Sequence, residues 1–160
     1  MRRGAVAVPA VALLVLAFAA GPRGASAGKP EEDAERPNKD QRIVNVEVRV
    51  IRASNEGSGV DPLLEDLRDR FARFNYKSYR LVDSRILRLG PELEGTVPLP
   101  NGDVFRLKDV KLGGRRARMT VGTSDVVLKV SLANHGTVVV GGLKEGNGES
   151  ELMVAVTAQF

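Results

Sequence analysis

The end of the chain decides the fold. Its last stretch is TVVVGGLKEGNGESELMVAVTAQF (residues 137–160), in which two apolar, β-prone runs flank a loop of glycine and acidic residues. In the second run the apolar residues recur at every second position, namely at Leu152, Val154, Val156, Ala158 and Phe160. This period of two places them on one side of a β-strand. The stretch therefore predicts a β-hairpin that closes a sheet, and its last strand is expected to keep an open edge for a partner.

Upstream runs with the same alternation predict further strands. The clearest is residues 43–51, where valines alternate with polar residues. Similar runs occur at residues 77–82, 85–89, 96–99, 104–107, 116–121 and 126–132, the last with Val126, Leu128, Val130 and Leu132 expected to face inward. Turn signals such as Asn101-Gly102 separate the runs, and an interruption near Asp83-Ser84 predicts a β-bulge.

One segment has helical spacing instead. Asp61 and Pro62 suit the cap and the first position of a helix. The apolar residues that follow are three or four positions apart and share one stripe, formed by Leu64, Leu67, Phe71 and Phe74. The predicted class is therefore α+β, mainly β: an antiparallel sandwich or small barrel of seven to nine short strands, with one helix at about residues 61–74 packed on it.

The start of the chain has the features of an export signal. Two arginines precede an apolar stretch at residues 5–20, and Ala25-Ser26-Ala27 has the small-x-small pattern of a cleavage site. Residues 1–27 are therefore predicted to be a signal peptide, and no transmembrane span is expected after its removal. Residues 28–42 are polar and contain two prolines, so they predict a disordered linker. Residues 43–160 are predicted to form a single β-rich domain.

The charge of the chain limits the classes of partner. The sequence has 24 basic and 20 acidic residues, and three of the basic residues belong to the predicted signal. The mature chain is nearly neutral, which argues against a nucleic-acid partner. Arg115, Arg116 and Arg118 form a local cluster after the Gly113-Gly114 turn. This cluster is typical of a solvated hairpin end, because a contact with an anion or a phospholipid headgroup would need more than three arginines.

Residues suited to catalysis or metal binding are few. The chain has no cysteine and a single histidine, His135, so it lacks the ligands of thiolate and histidine-rich metal sites. Ser124, Asp125 and Ser131 would complete a formal serine–histidine–aspartate set, but His135 lies in a predicted turn and no Gly-x-Ser-x-Gly motif is present. We therefore predict no catalytic, cofactor-binding or metal-binding residue and no cofactor.

Two resemblances concern the location of the protein. Residues 137–143 and 150–157 resemble the closing strands of secretins, the outer-membrane channels of type II and type III secretion, which implies association with such an assembly. The membrane-inserting Val-Pro-x-Leu-Gly segment of that family is absent, so the resemblance does not imply a channel. Segments such as Val60-Asp-Pro-Leu-Leu and Leu99-Pro-Asn-Gly are similar to small exported proteins of Gram-negative bacteria that have no assigned activity. This similarity implies the periplasm or the periphery of the outer membrane.

The sequence thus favours an exported, non-enzymatic interaction or structural module, associated with a secretion or outer-membrane assembly. The predicted partner contacts are Arg115, Arg116, Arg118, Leu152, Val154, Val156 and Phe160. A soluble module that binds a small ligand or a polysaccharide is the alternative. A hydrolase with an unrecognised site is the less favoured third hypothesis.

Overall fold

The computed structural model describes residues 42–146 and 148–160. The predicted signal peptide and residues 28–41 of the predicted linker lie outside the described residues. The elements follow the chain in the order β1 (Val44–Ser54), β2 (Gly59–Val60), a 3-10 helix (Pro62–Leu67), α1 (Arg68–Phe71), β3 (Ser78–Leu89), β4 (Gly95–Pro98), β5 (Val104–Gly113), β6 (Arg116–Gly122), β7 (Val127–Ala133), β8 (Thr137–Glu145) and β9 (Ser150–Gln159). The predicted class, mainly β with a single short helix, is confirmed.

The strands form two separate sheets, so the architecture is a sandwich. The five-stranded sheet has the order β2-β3-β1-β9-β8, and the four-stranded sheet has the order β4-β5-β6-β7. Neighbouring strands are antiparallel, except that β2 pairs in parallel with β3 through Gly59 and Val60. In the five-stranded sheet, β1 and β9 lie at the centre and pair along ten residues, from Asn45 with Gln159 to Ser54 with Ser150.

The larger core lies between the two sheets. Alternate residues of each strand point into it and leave little or no exposed surface, including Val44, Val46, Val48 and Val50 of β1, Phe105 and Leu107 of β5, Ala117, Met119 and Val121 of β6, and Leu152, Val154, Val156 and Ala158 of β9. Fully burying a side chain of this kind contributes about 1.5–3 kcal/mol. The two sheets are therefore held together by a continuous apolar layer.

A second core lies on the opposite face of the five-stranded sheet. There the helical segment packs Leu64, Leu67 and Phe71 against residues of the central strands, namely Ile51 and Ala53 of β1, Tyr79 of β3, and Met153 and Ala155 of β9. The Phe71 and Tyr79 rings stack with their centroids 4.2 Å apart. The molecule thus has three layers. The helical segment covers the part of the five-stranded sheet around Ile51, Tyr79 and Met153, whereas Ile86 of β3, on the same face, is 69% exposed.

The helix is shorter and tighter than predicted. Asp61 caps it as expected, because its carboxylate accepts a hydrogen bond from the Leu63 N–H (3.1 Å). A 3-10 helix then runs to Leu67, and only Arg68–Phe71 is α-helical. Leu64 and Leu67 are three residues apart, and a 3-10 helix with three residues per turn aligns such a pair along one line. Both leucines can therefore face the sheet without an α-helical turn.

The prediction of an open edge at the last strand is wrong. β9 lies between β1 and β8 and is paired along both of its sides. Leu152, Val154 and Val156 have no exposed surface, since they belong to the core between the sheets. Met153 and Ala155, on the other face of the same strand, are equally buried under the helix. In this fold these three predicted contact residues are inaccessible to a partner.

The bulge predicted near Asp83-Ser84 is confirmed: it lies at the adjacent Val82, because Val50 pairs with Asp83 and Ile51 with Leu81. β7 differs from its prediction. Val126 lies outside β7, and Leu128 is 41% exposed instead of buried. β7 is an edge strand, so Leu128 near its beginning has a neighbouring strand, β6, on one side only.

A charged cluster joins the helical segment to the central strand. Arg49 of β1 is buried, and its guanidinium donates two hydrogen bonds to the Asp66 carboxylate (2.8 and 2.7 Å) and one to the Leu63 carbonyl oxygen (3.3 Å). The third donor, Nε, lies 3.8 Å from a Glu47 carboxylate oxygen. The hydrogen bonds from Arg49 hold the pKa of Asp66 below its usual range. The pair therefore fastens the helix to the sheet.

We predict that Asp66→Asn lowers the free energy of unfolding by about 1 kcal/mol at neutral pH, because Arg49 loses its charged acceptor and solvent screens the exposed part of the pair. The pKa of Asp66 is depressed in the folded state, so the stabilisation by the ionised carboxylate is complete above the ordinary carboxyl pKa of about 3.9 and is lost as the pH falls further. The difference between the two proteins should therefore shrink below about pH 4. Urea unfolding at several pH values measures it, and Asp69→Asn in the same helical segment should have little effect. Equal stability of Asp66→Asn and the unaltered protein at neutral pH would contradict the role of the pair.

A second prediction concerns Gly122 at the end of β6. Its φ is 150°, and an added Cβ atom would lie 1.8 Å from the carbonyl oxygen of Val126. This oxygen accepts the hydrogen bond from the Thr123 N–H (2.8 Å) that closes the turn into β7. Gly122→Ala should therefore lower the free energy of unfolding by about 3 kcal/mol. Gly113→Ala, where an added Cβ meets open space, is the matched control in the same thermal unfolding measurement; similar losses in both variants would refute the steric argument.

Candidate functional site: a basic sheet face

The outer face of the four-stranded sheet, opposite the core, carries six exposed basic side chains. We call this surface the basic face and define it by Arg106, Lys108 and Lys111 of β5, Arg116 and Arg118 of β6, and Lys129 of β7. Their strand neighbours, such as Leu107, Ala117 and Met119, point into the core. Because side chains alternate along a strand, burial of the apolar set forces the basic set outward.

A β-bulge in β5 places Lys108 and Lys111 on the same face. The pairing with β6 shifts between these two lysines, and Asp109 within the bulge has a left-handed φ of 56°. In a regular strand, residues three apart would point to opposite faces. The bulge lets Val110 enter the core while both lysines stay exposed. It therefore adds one cation to the basic face.

The strand register sets the arrangement of the charges. Lys108 pairs with Thr120, which pairs in turn with Lys129, so the two lysines flank the threonine. In the next row, Lys111 lies directly opposite Arg118. Like charges directly opposite on antiparallel strands destabilise a sheet. The face therefore concentrates positive charge at a local cost in stability.

No carboxylate of the described residues forms an ion pair with the basic face. The ion pairs of residues 42–146 and 148–160 lie elsewhere, and join Arg49 to Glu47 and Asp66, Arg52 to Glu145, Arg68 to Glu65, and Arg85 to Asp83. Arg116 is held by neutral groups instead, because it donates hydrogen bonds to the Ser131 hydroxyl (2.9 Å) and to the Ser131 carbonyl oxygen (2.7 Å). Six positive charges thus share one side of the domain.

Two depressions lie on the basic face and meet at Thr120. The larger, of about 380 Å³, is bordered by three cations, Lys111, Arg118 and Lys129, and by one acidic residue, Asp109. The smaller, of about 200 Å³, is bordered by Arg106 and Lys108 and continues to Gly122. Both follow β6, so together they form a shallow groove along this strand. We call it the β6 groove.

A third depression carries a smaller excess of positive charge. It lies between the helical segment and β8, has a volume of about 330 Å³, and is lined by Asp69, Arg70 and Arg73 together with Phe74 and residues 137–139. One acidic residue thus accompanies its two arginines, whereas the β6 groove has five cations and the single acidic residue Asp109. The basic face is therefore the stronger candidate for an anionic ligand.

The structure brings together only part of the predicted contact set. Arg116 and Arg118 lie on the basic face, whereas Arg115 is exposed at the tip of the β5–β6 turn. Phe160 is half-buried against the core, and its N–H donates to the Asn134 side-chain oxygen (2.9 Å). Sequence reasoning missed the four cations on β5 and β7, although the alternation in Arg106-x-Lys108 was a signal for two of them.

The formal catalytic set is not assembled in the folded chain. Ser124 donates a hydrogen bond to its neighbour Asp125 (3.2 Å), and Ser131 accepts one from Arg116. His135 is exposed in the β7–β8 turn with a left-handed φ of 59°. No hydrogen bond of the described residues joins the His135 ring to either serine.

Within residues 42–146 and 148–160, His, Asp and Glu side chains form no group of three or more that could hold a metal ion. In the same part of the chain, no helix has the length and apolar character needed to cross a bilayer.

Comparison with protein-family models, with curated proteins and with solved structures finds no match to this chain.

Proposed function

We propose that the protein is an exported, non-enzymatic interaction module of the Gram-negative cell envelope, and that it binds an anionic partner through the basic face. The observation that carries the proposal is the segregation of charge on this face. Its six cations are exposed, and no described carboxylate pairs with them. A surface of one sign attracts partners of the opposite sign and raises their local concentration.

The chemistry of the face supports binding. Arginine and lysine donate charged hydrogen bonds to carboxylates and phosphates, and arginine can do so with two parallel bonds. The backbone of a sheet holds such groups at fixed spacing, which reduces the entropy lost on binding. The contact surface proposed here replaces the last hairpin, whose apolar residues lie in the core.

The location in the envelope rests on the sequence. The signal pattern at residues 1–27 supports export, and the resemblance of residues 137–157 to secretin strands supports a site near an outer-membrane or secretion assembly. Anionic groups are abundant on membrane surfaces, where clustered lysines and arginines each contribute about 1 kcal/mol to association.

Export gives the first prediction of this proposal. When the full chain is expressed in a Gram-negative host, mass spectrometry of the periplasmic protein should show an N-terminus at Gly28. Ala27→Glu should block processing, because the cleavage site requires a small residue there. Ser26→Leu changes the tolerant middle position and should be processed normally. Recovery of the unaltered chain in the cytoplasm with its N-terminus intact would refute export.

Charge reversal gives the second prediction. Purified residues 28–160 should sediment with isolated envelope fragments at low salt and be released as salt rises, because the contact is electrostatic. The double variant Lys111→Glu/Arg118→Glu should bind at least about tenfold more weakly.

The control for this experiment is Arg80→Glu/Arg88→Glu. Both arginines are exposed on β3 and form no ion pair in the described chain. The control therefore changes the net charge by the same amount as Lys111→Glu/Arg118→Glu, but on the other sheet and away from the basic face. Circular dichroism should show that both double variants are folded. Equal binding by the two double variants, or no binding by the unaltered protein, would refute the proposal.

A further inference from the structure

We infer that the occupant of the basic face is a linear acidic polysaccharide that lies along the β6 groove. The inference rests on the proposed function and names the chemical class of its ligand. Its first support is shape. The two depressions meet end to end at Thr120 and follow β6. The strand Arg116–Gly122 spans about 20 Å, which suits an extended chain of several sugar units better than a compact anion.

The second support is the spacing of the charges. Lys108 and Lys129 stand on either side of Thr120, on strands that lie about 10 Å apart. Lys111 and Arg118 form the next row, and Arg106 and Arg116 lie toward the two ends of the groove. Charges are thus distributed along the groove and across it. A polymer with a carboxylate on successive units can meet several of them at once.

The third support is the presence of hydroxyl groups between the cations. Thr120 is nearly buried at the junction of the two depressions. Thr123 and Ser124 line the smaller depression, and Ser131 lines the larger. Hydroxyls both donate and accept hydrogen bonds, so they match sugar hydroxyls. An anionic ligand without hydroxyl groups would contact only the cations of the basic face and would leave these protein hydroxyls unused.

The placement of aromatic residues argues against a polynucleotide. Single-stranded nucleic acids are bound largely by stacking of bases on aromatic side chains. The aromatic residues of the described chain are used elsewhere: Phe71, Phe74, Tyr76 and Tyr79 pack on the helix side of the five-stranded sheet, and Phe105 and Phe160 pack in or against the core between the sheets. The basic face therefore offers charge and hydroxyls to its ligand.

A lipid surface is the competing occupant. It would be favoured by apolar groups that protrude next to the charges, and Val127 at one end of the face is 63% exposed. However, a planar surface would leave the β6 groove and the nearly buried Thr120 unused. The groove therefore favours a chain, and vesicles form the second arm of the test.

The experiment measures binding of purified residues 28–160 to a galacturonate octasaccharide by calorimetry. The fully methyl-esterified octasaccharide has the same backbone without charge, polyglutamate supplies charge without sugar, and vesicles of phosphatidylcholine with phosphatidylglycerol supply an anionic lipid surface. We expect the octasaccharide to bind at least about tenfold more tightly than the esterified form, than polyglutamate, and than a galacturonate disaccharide, which is too short to reach several cations at once.

A variant with unaltered charge tests the groove itself. Thr120→Val removes one hydroxyl and keeps the shape of the side chain, and it should weaken octasaccharide binding about fivefold while leaving vesicle binding unchanged. Thr96→Val changes an exposed residue of β4 that lines neither depression, so it should change neither binding. Thermal unfolding should show that both variants are folded.

The outcomes separate this inference from the proposed function. If vesicles or polyglutamate bind as tightly as the octasaccharide and Thr120→Val changes nothing, the inference that the ligand is a polysaccharide is refuted. Charge-dependent binding to envelope fragments would then still support the proposed function. If the octasaccharide does not bind at all while envelope fragments do, the ligand class is likewise wrong and the proposed function stands. If envelope fragments fail to bind as well, both are wrong.

Discussion

Burial of β1 and β9 on both faces is the constraint on which the rest of the structure depends. In β9 every residue from Leu152 to Ala158 is buried, since alternate side chains enter the core between the sheets and the layer under the helix. A strand in the middle of three layers has no face for solvent, and such strands are nearly continuous in apolar residues. The two covers, the helical segment and the four-stranded sheet, are needed for this reason. Neither the five-stranded sheet nor its covers would bury their apolar residues alone.

This constraint also determines where charge can be placed. The helix-side face of β1 contains Arg49, and burial of an unpaired guanidinium would be costly, so Asp66 on the 3-10 helix supplies a carboxylate with two hydrogen bonds. A similar pair, between Arg52 and Glu145, joins β1 to the end of β8, and its hydrogen bonds hold the pKa of Glu145 below the usual range. The outer face of the four-stranded sheet has no covering layer, and there the basic residues of β5, β6 and β7 are found.

Much of this fold could be predicted from local patterns, because alternation and turn residues act over short distances. The hairpin around Asn101-Gly102, the cap at Asp61 and the stripe formed by Leu64, Leu67 and Phe71 are examples that the structure confirms. The position of β9 was missed, although only Thr157 interrupts the apolar run from Leu152 to Ala158. A nearly continuous apolar run of this kind indicates a strand with two buried faces. The basic face was missed because its residues come from three strands and meet only through their register. The nearly neutral charge of residues 28–160 hid the local excess, since most of the compensating carboxylates lie elsewhere in the fold.

The concentration of cations on this face does not follow from the needs of the fold. Solubility would be served as well by mixed charges, as in the helical segment, where Arg68 pairs with Glu65. Instead, Lys111 opposes Arg118 across two strands, and the bulge at Asp109 places a non-glycine residue in the left-handed region while it keeps a second lysine outside. Both features cost folding free energy. An anionic ligand along β6 would reverse the first cost, because a carboxylate between Lys111 and Arg118 converts their repulsion into two attractions. Lys111 and Arg118 would then lower the free energy of unfolding of the free domain and raise that of the complex. The gain in stability on ligand binding should therefore depend on this pair more than on any other pair of the basic face.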